Sequence, residues 1–242
     1  MRKYVSDSFV NSDYYCDRMA ATLMGKYSTQ VEGNFIEESL MLYLRKPAVI
    51  FDAAGGTGRF AIPLYRDGCR VIVEEIDLLP LRILRHREPG IPVVLLDNKA
   101  KHFPIKEASV DCILCIEADS LVLLEWFFSE CNRILKNNGI IVFTLLNRLS
   151  YKGFYKKFIL REDCSKHPWK KSHYATSFRR IKMRLRNAGF KITRANGFYW
   201  LPVSRESNNR LVPYFALVEK LLRLDLLPSL SPRIIIEGRK FK

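Results

Sequence analysis

The 242-residue chain has no apolar run that approaches the ~20 residues needed to span a bilayer; runs such as Ile140–Leu146 fall far short. Residues 1–10 carry charge and no apolar core segment, so no signal peptide is expected. Repeats and low-complexity tracts are absent. The six cysteines (Cys16, Cys69, Cys112, Cys115, Cys131 and Cys164) are scattered and do not form the dense framework of a small secreted domain. A spanning protein, a disulfide scaffold and a solenoid are thereby disfavoured, and a cytoplasmic location is expected. Cys112-x-x-Cys115 has metal-ligand spacing but no second pair and no histidine cluster nearby. Positions three apart on a strand face opposite sides, so both cysteines are expected in the core and no metal site is expected. Hydrophobic residues make up 48% and charged residues 27%, ordinary globular usage that excludes wholesale disorder.

Charge is present in excess and unevenly placed. The net charge is +15. Residues 148–242 hold 23 Lys+Arg against 6 Asp+Glu, or +17, whereas the first 147 residues hold 17 against 19, or −2. A basic C-terminal lobe points to an anionic partner, such as nucleic acid, phospholipid headgroups or an acidic substrate, or else to a solvated surface that keeps the chain dispersed.

The N-terminal 46 residues read as helical and aromatic-rich, stopped by Pro47. Strand-like runs follow at Ala48–Phe51, Val71–Val73, Val93–Leu96, Val110–Ile116, Ile140–Leu145, Phe190–Thr193 and Arg233–Glu237. Helical patterns separate them at Arg59–Arg66, Leu79–Arg87, Leu121–Lys136, Ser177–Asn187 and Leu211–Leu224, with Asn137-Asn138-Gly139 as an expected C-cap. This alternation predicts an α/β, doubly wound, mostly parallel sheet with helices on both faces. The Leu211–Leu224 helix, with Lys220 and Arg223 among leucines, is expected to pack on the sheet. Lying on a membrane face or roofing a substrate pocket are its alternatives.

The informative stretch is Val49-Ile50-Phe51-Asp52-Ala53-Ala54-Gly55-Gly56-Thr57-Gly58-Arg59. An apolar strand ends in an acid, small residues and glycines follow, and a helix begins. Glycines let the chain turn tightly and let a ligand approach the main chain, and open α/β sheets bind ligands at the carboxyl ends of their strands. Gly56-x-Gly58-x-x-Ala61 formally fits the dinucleotide fingerprint, which keeps a nicotinamide-dependent oxidoreductase or a non-catalytic nucleotide-binding protein as alternatives. Asp52 argues against a pyrophosphate, because a carboxylate repels it where bare N–H groups would be wanted. It suits a cationic ligand.

In these residues the sequence resembles the class I S-adenosylmethionine-dependent methyltransferases, whose motif has the form aliphatic-aliphatic-Asp-x-Gly-x-Gly-Thr-Gly. Ala54 stands in place of the first glycine. The resemblance covers residues 48–145 well and the remainder loosely, and the small-molecule type, including quinone-biosynthesis enzymes, is the most similar. It implies a Rossmann-like seven-stranded sheet in a single domain: a helical cap over 1–46, a cofactor-binding core over 47–147 and a basic substrate-side lobe over 148–242. It also implies S-adenosylmethionine as cofactor, contacted by Asp52, Ala54, Gly55, Gly56 and Gly58 of the turn. The acid for the ribose hydroxyls falls on Glu75, with Asp77 as the competing choice and otherwise a helix N-cap. Asp97-Asn98 matches the adenine contact, and Glu117, after the fourth strand, is a further cofactor candidate. The implied reaction is in-line methyl transfer to a small-molecule or lipid-linked acceptor, anionic in keeping with the basic lobe. An RNA methyltransferase is the alternative, and peripheral membrane contact is a further candidate interaction. No catalytic residue is assigned. His167, His173 and Tyr151 lie where a substrate could be deprotonated, and Tyr14, Tyr15 and Tyr27 lie in a segment that could shield a sulfonium. The Asn/Asp-Pro-Pro-aromatic motif of base amino methyltransferases is missing.

Overall fold

The computed structural model describes residues 14–43, 47–156 and 173–241. Cys164 and His167 fall outside the described residues. Seven strands form one sheet: β1 (Val49–Ala53), β2 (Arg70–Glu75), β3 (Val93–Leu95), β4 (Val110–Cys115), β5 (Leu135–Leu146), β6 (Phe190–Phe198) and β7 (Arg233–Lys240). Their order is β3-β2-β1-β4-β5-β7-β6. β1 to β5 pair in parallel, and β7 runs antiparallel between β5 and β6. The middle strands can be apolar throughout because helices cover both faces.

The described helices are α1 (Tyr15–Ala21), α2 (Leu23–Tyr43), α3 (Ala61–Arg66), α4 (Leu78–Arg87), α5 (Asp119–Val122), α6 (Phe127–Ile134), α7 (Tyr151–Tyr155), α8 (Phe178–Asn187) and α9 (Val212–Leu221). Met24, Phe35 and Ile36 of α2 pack with Leu64, Leu81 and Leu84 on one face of the sheet. Phe103, Phe127, Phe128, Phe143, Ile181 and Leu185 fill the other. Phe51 and Phe103 meet edge-on at 5.0 Å, as do Phe128 and Phe143 at 5.4 Å, a geometry favoured by the ring quadrupoles. Cys112 belongs to the first layer and Cys115 to the second, both fully buried. The strand spacing sends them to opposite faces, as expected.

Three helical expectations are revised. The 121–136 pattern is two helices, and Arg184 donates to the Val122 and Leu124 carbonyls at the break, at 3.1 and 2.7 Å. That satisfies acceptors which a continuous helix would have used internally. Asn137-Asn138-Gly139 is no helix cap: β5 begins at Leu135, and the ladder jumps from Val110↔Leu135 to Cys112↔Ile140. Asn138 takes the left-handed conformation in that excursion, at φ 64°. Finally, α9 does not turn its leucines inward. Val212 and Glu219 are its buried positions, while Tyr214, Phe215, Leu217, Val218 and Leu221 are exposed.

Candidate functional site

β1 leads outward through β2 to β3, whereas β4 continues in the opposite direction. The connections at the carboxyl ends of β1 and β4 therefore diverge and leave a crevice, as in other open α/β sheets. A cavity of about 580 Å³ occupies it. Asp52, Ala54, Gly55, Gly56, Glu75, Asp97, Asn98 and Glu117 all line this cavity. Gly58 is not among the lining residues. It sits at φ 87°, and a Cβ there would lie 2.5 Å from the Leu84 Cδ1 atom, so its role in the fold is to let the turn pack on α4.

The turn is held from several sides. Gly55 N donates to the Glu74 carbonyl at 3.1 Å, and a Cβ on Gly55 would meet Asp52 Oδ2 at 2.7 Å. Ala54 adopts φ 56°, a left-handed conformation that costs an L-residue roughly 1–2 kcal/mol. Its N–H donates to Glu74 Oε2 at 3.3 Å. Thr57 donates its hydroxyl to Asp17 of α1 at 2.5 Å, and the other Asp17 oxygen accepts from Arg87 of α4 at 2.8 Å. Asp17 thus ties the cap helix to the glycine turn, a role that no local sequence pattern signals.

Six carboxylates line the cavity: Asp17, Asp52, Glu74, Glu75, Asp97 and Glu117. Burial pushes Asp52 up to about 7 against the pull of Arg59, with Glu75 and Glu74 adding repulsion. Burial likewise raises Glu74 to about 7, and Glu75 is shifted upward for the same first reason. Asp77 accepts from Leu79 N at 3.1 Å and caps α4; unlike Glu75, it does not line the cavity. Asp97 accepts from Lys99 N at 2.7 Å, so one of its oxygens closes its own turn. Leu96, Leu121, Leu124 and Trp126 supply an apolar wall.

A second cavity, of about 1110 Å³, adjoins the first; Cys16, Glu117 and Arg205 line both. Its chemistry is different. Tyr15, Tyr151, Tyr174 and Tyr199 face it with Lys152, His173, Arg205 and Arg233. Glu117, at φ 61°, stands at the junction, its carboxylate paired with Arg59 at 2.8 Å and with Arg205 and Arg233. Burial depresses Lys152 to about 7, helped by the charge of Arg233, and its ammonium lies 3.6 Å from the Tyr199 ring centroid. Burial lifts the Tyr151 phenol to about 12, and that hydroxyl donates to the Trp200 carbonyl. Of the three tyrosines that could shield a sulfonium, Tyr14 and Tyr15 line the cavities, while Tyr27 is packed away and donates to Glu219. Ala54, Glu117, Tyr174 and Tyr199 all carry positive φ. Backbone strain of this kind persists where the surroundings over-determine it, and it clusters at functional sites.

A family model described as a methyltransferase domain matches residues 51–143. Over these residues the chain is similar to a methyltransferase domain. The span of the match runs from β1 into β5, and S-adenosylmethionine is the cofactor that the family implies. Among solved structures, a SAM-dependent methyltransferase from Thermotoga maritima is 20% identical, with 90% of this chain and 91% of that one covered at a TM-score of 0.58. Another, from Methanosarcina mazei, is 14% identical over 84% and 97%, with a TM-score of 0.59. The cyclase SpnF shares the architecture at 16% identity, 88% and 81% coverage and a TM-score of 0.58. Architecture by itself therefore does not fix a reaction. A search of curated proteins found no match. Around this core, the residues that sequence reasoning missed are Asp17, Lys152, Tyr174, Tyr199, Arg205 and Arg233. Arg233 is instructive: it is the first residue of β7, and only because β7 is antiparallel does it pair with Leu146 at the crevice end of the sheet.

Proposed function

We propose that this chain transfers a methyl group from S-adenosylmethionine to a small or lipid-linked acceptor that carries negative charge and rings or an apolar chain. The observation that carries the reading is the meeting of two cavities of opposite character at Glu117 and Arg205, one walled by carboxylates and the other by tyrosines and cations.

The residues of the first cavity fit the cofactor. Carboxylates that outnumber the cations Arg59 and Arg205 around them suit a ligand bearing a sulfonium and an ammonium, and the same acids would repel a pyrophosphate. Asp52 would balance positive charge, Glu75 would accept from the ribose hydroxyls, and Asp97 with Asn98 would meet the adenine edge beside the Leu96–Trp126 wall. Ala54, Gly55 and Gly56 would present backbone along the ligand. Glu117 would act at one remove, because its carboxylate already holds three arginines. When bound, the cofactor supplies an electrophilic methyl group. The protein then has to align an acceptor in line with it and exclude water. Arg205 and Arg233 would anchor the acceptor's anionic group, the tyrosines would clamp its apolar body, and Lys152, near neutrality, could take up its proton at Nζ.

Calorimetry with S-adenosylhomocysteine and with NAD tests the cofactor assignment: the first should bind and the second should not. Incubation with methyl-labelled S-adenosylmethionine and either an organic-solvent cell extract or total RNA tests the acceptor. Label should enter the organic fraction, whereas label in RNA would overturn the acceptor class.

A further inference from the structure

A surface helix normally turns its apolar stripe inward and its charges outward. The helix α9 is reversed. Its inward side carries Val212 and Glu219, and the buried Glu219 carboxylate accepts from the Tyr27 hydroxyl and from Trp200 N, the latter at 2.8 Å. Its outward side presents Tyr214, Phe215, Leu217, Val218 and Leu221, and the apolar surface continues into Leu222, Leu226, Leu227 and Leu230. Leu221 is 71% exposed and Tyr214 68%. Contiguous apolar surface on this scale marks an interaction site.

We infer that this face docks on an anionic phospholipid bilayer. The charges around the face select that occupant. Arg210, Lys220 and Arg223 are exposed beside the leucines, while the acids of the same stretch, Glu219 and Asp225, are buried and half-buried. A leucine face edged by cations is what an interfacial helix presents to anionic headgroups. Two copies of the face would bring like charges together, and nucleic acid gains nothing from exposed leucines. No described helix is long and apolar enough to cross a membrane, so the contact lies in the interface plane.

The position of the helix gives the contact a use. Trp200 joins two elements: its N–H donates to Glu219 of α9, and its carbonyl accepts from Tyr151 of α7. α7 lines the larger cavity and exposes Phe154 and Tyr155 beside it. Docking through α9 would therefore set the aromatic cavity against the bilayer, where an amphiphilic acceptor resides.

Flotation of the full chain with vesicles of phosphatidylcholine, alone or with about 30% phosphatidylglycerol, tests the inference. The protein should float with the anionic vesicles and lose most binding in high salt. The exposed double variant Leu217→Ser/Leu221→Ser should lower partitioning by about tenfold or more, and Lys220→Glu/Arg223→Glu should abolish the preference for phosphatidylglycerol. Unchanged S-adenosylhomocysteine affinity in both variants shows that the fold is intact and separates this result from the cofactor assignment. A wild-type chain that stays out of the vesicle fraction, or variants that float as well as it does, would sink the inference. So would self-association in sedimentation velocity that Leu217→Ser/Leu221→Ser removes, because it would assign the face to a second copy.

Discussion

Asp52 is a buried acid at the end of a central strand, and it should cost the fold stability at the pH where it serves the cofactor. Its folded-state value lies near 7 against an ordinary 3.8, through burial first and the repulsion of Glu75 and Glu74, offset in part by Arg59. A carboxyl whose value is raised on folding contributes stability that is fully present below the unfolded value and lost as pH rises through the folded one. The window here is pH 4 to 7. At 1.36 kcal/mol for each tenfold change in proton affinity, the loss attributable to Asp52 is at most about 4 kcal/mol. Asp52→Asn keeps the shape and removes the charge. It should match the wild type below about pH 4, lead it by about 1.5 kcal/mol at pH 5 and exceed it by up to about 4 kcal/mol at pH 8, on the order of 10 °C in melting temperature for a chain of this size. Urea unfolding followed by tryptophan fluorescence at pH 5, 6, 7 and 8 measures the difference. The same substitution should weaken S-adenosylmethionine binding, and wild-type affinity should rise between pH 6 and 7.5 as the carboxyls ionise to meet the cation. Parallel stability curves for the two proteins, or a variant less stable at pH 8, would refute the assignment of Asp52 as a buried charge that Arg59 only partly offsets.

The ranking of Glu75, which ends β2, and Asp77, just beyond it, is equally open to measurement. Glu75→Ala should weaken S-adenosylhomocysteine roughly 10–100-fold in calorimetry, the scale of losing charge-assisted hydrogen bonds, whereas Asp77→Ala should cost about 1 kcal/mol of stability as a lost cap and leave affinity nearly unchanged. Ala54→Gly should relieve the left-handed strain and raise stability by up to about 1 kcal/mol in chemical denaturation. A loss of stability there would mean that the Ala54 methyl contributes packing which outweighs its backbone cost.

The order of strands and helices was legible because it rests on local signals. Asp52 at the end of an apolar run, Gly58 at a turn and Asp77 two residues before Leu79 each betray their position by neighbours in sequence. The carboxylate-lined cavity was legible for the same reason, since three parallel strands deliver their C-terminal residues to one edge. The second cavity was legible only in part, at Tyr15, Glu117, Tyr151 and His173. Its walls come from α1, from Glu117 and Asp119 after β4, from α7, from the loop around Arg205 and from the first residue of β7, segments separated by up to about two hundred positions. No spacing rule links Arg205 and Arg233 to Glu117. They meet because β7 enters antiparallel beside β5 and because burying Glu117 at the crevice demands cationic partners.

The reversal of α9 shows where periodicity stops being informative. A pattern of leucines interrupted by Lys220 and Arg223 fixes that a helix forms and that one side is apolar, but it carries no information on which side faces the protein. What decides the orientation is a single polar demand: Trp200 N and the Tyr27 hydroxyl need an acceptor inside the structure, and Glu219 is placed to supply it. Once Glu219 is drawn inward, Leu217 and Leu221 have to follow the helix outward, because residues two apart cannot share its buried face. An acid in an otherwise apolar helix is therefore the residue to inspect first, and here Glu219→Leu should lose the Trp200 anchor without supplying another acceptor. The unsatisfied N–H alone would cost about 1–3 kcal/mol, which urea unfolding would register as a destabilisation despite the added apolar side chain.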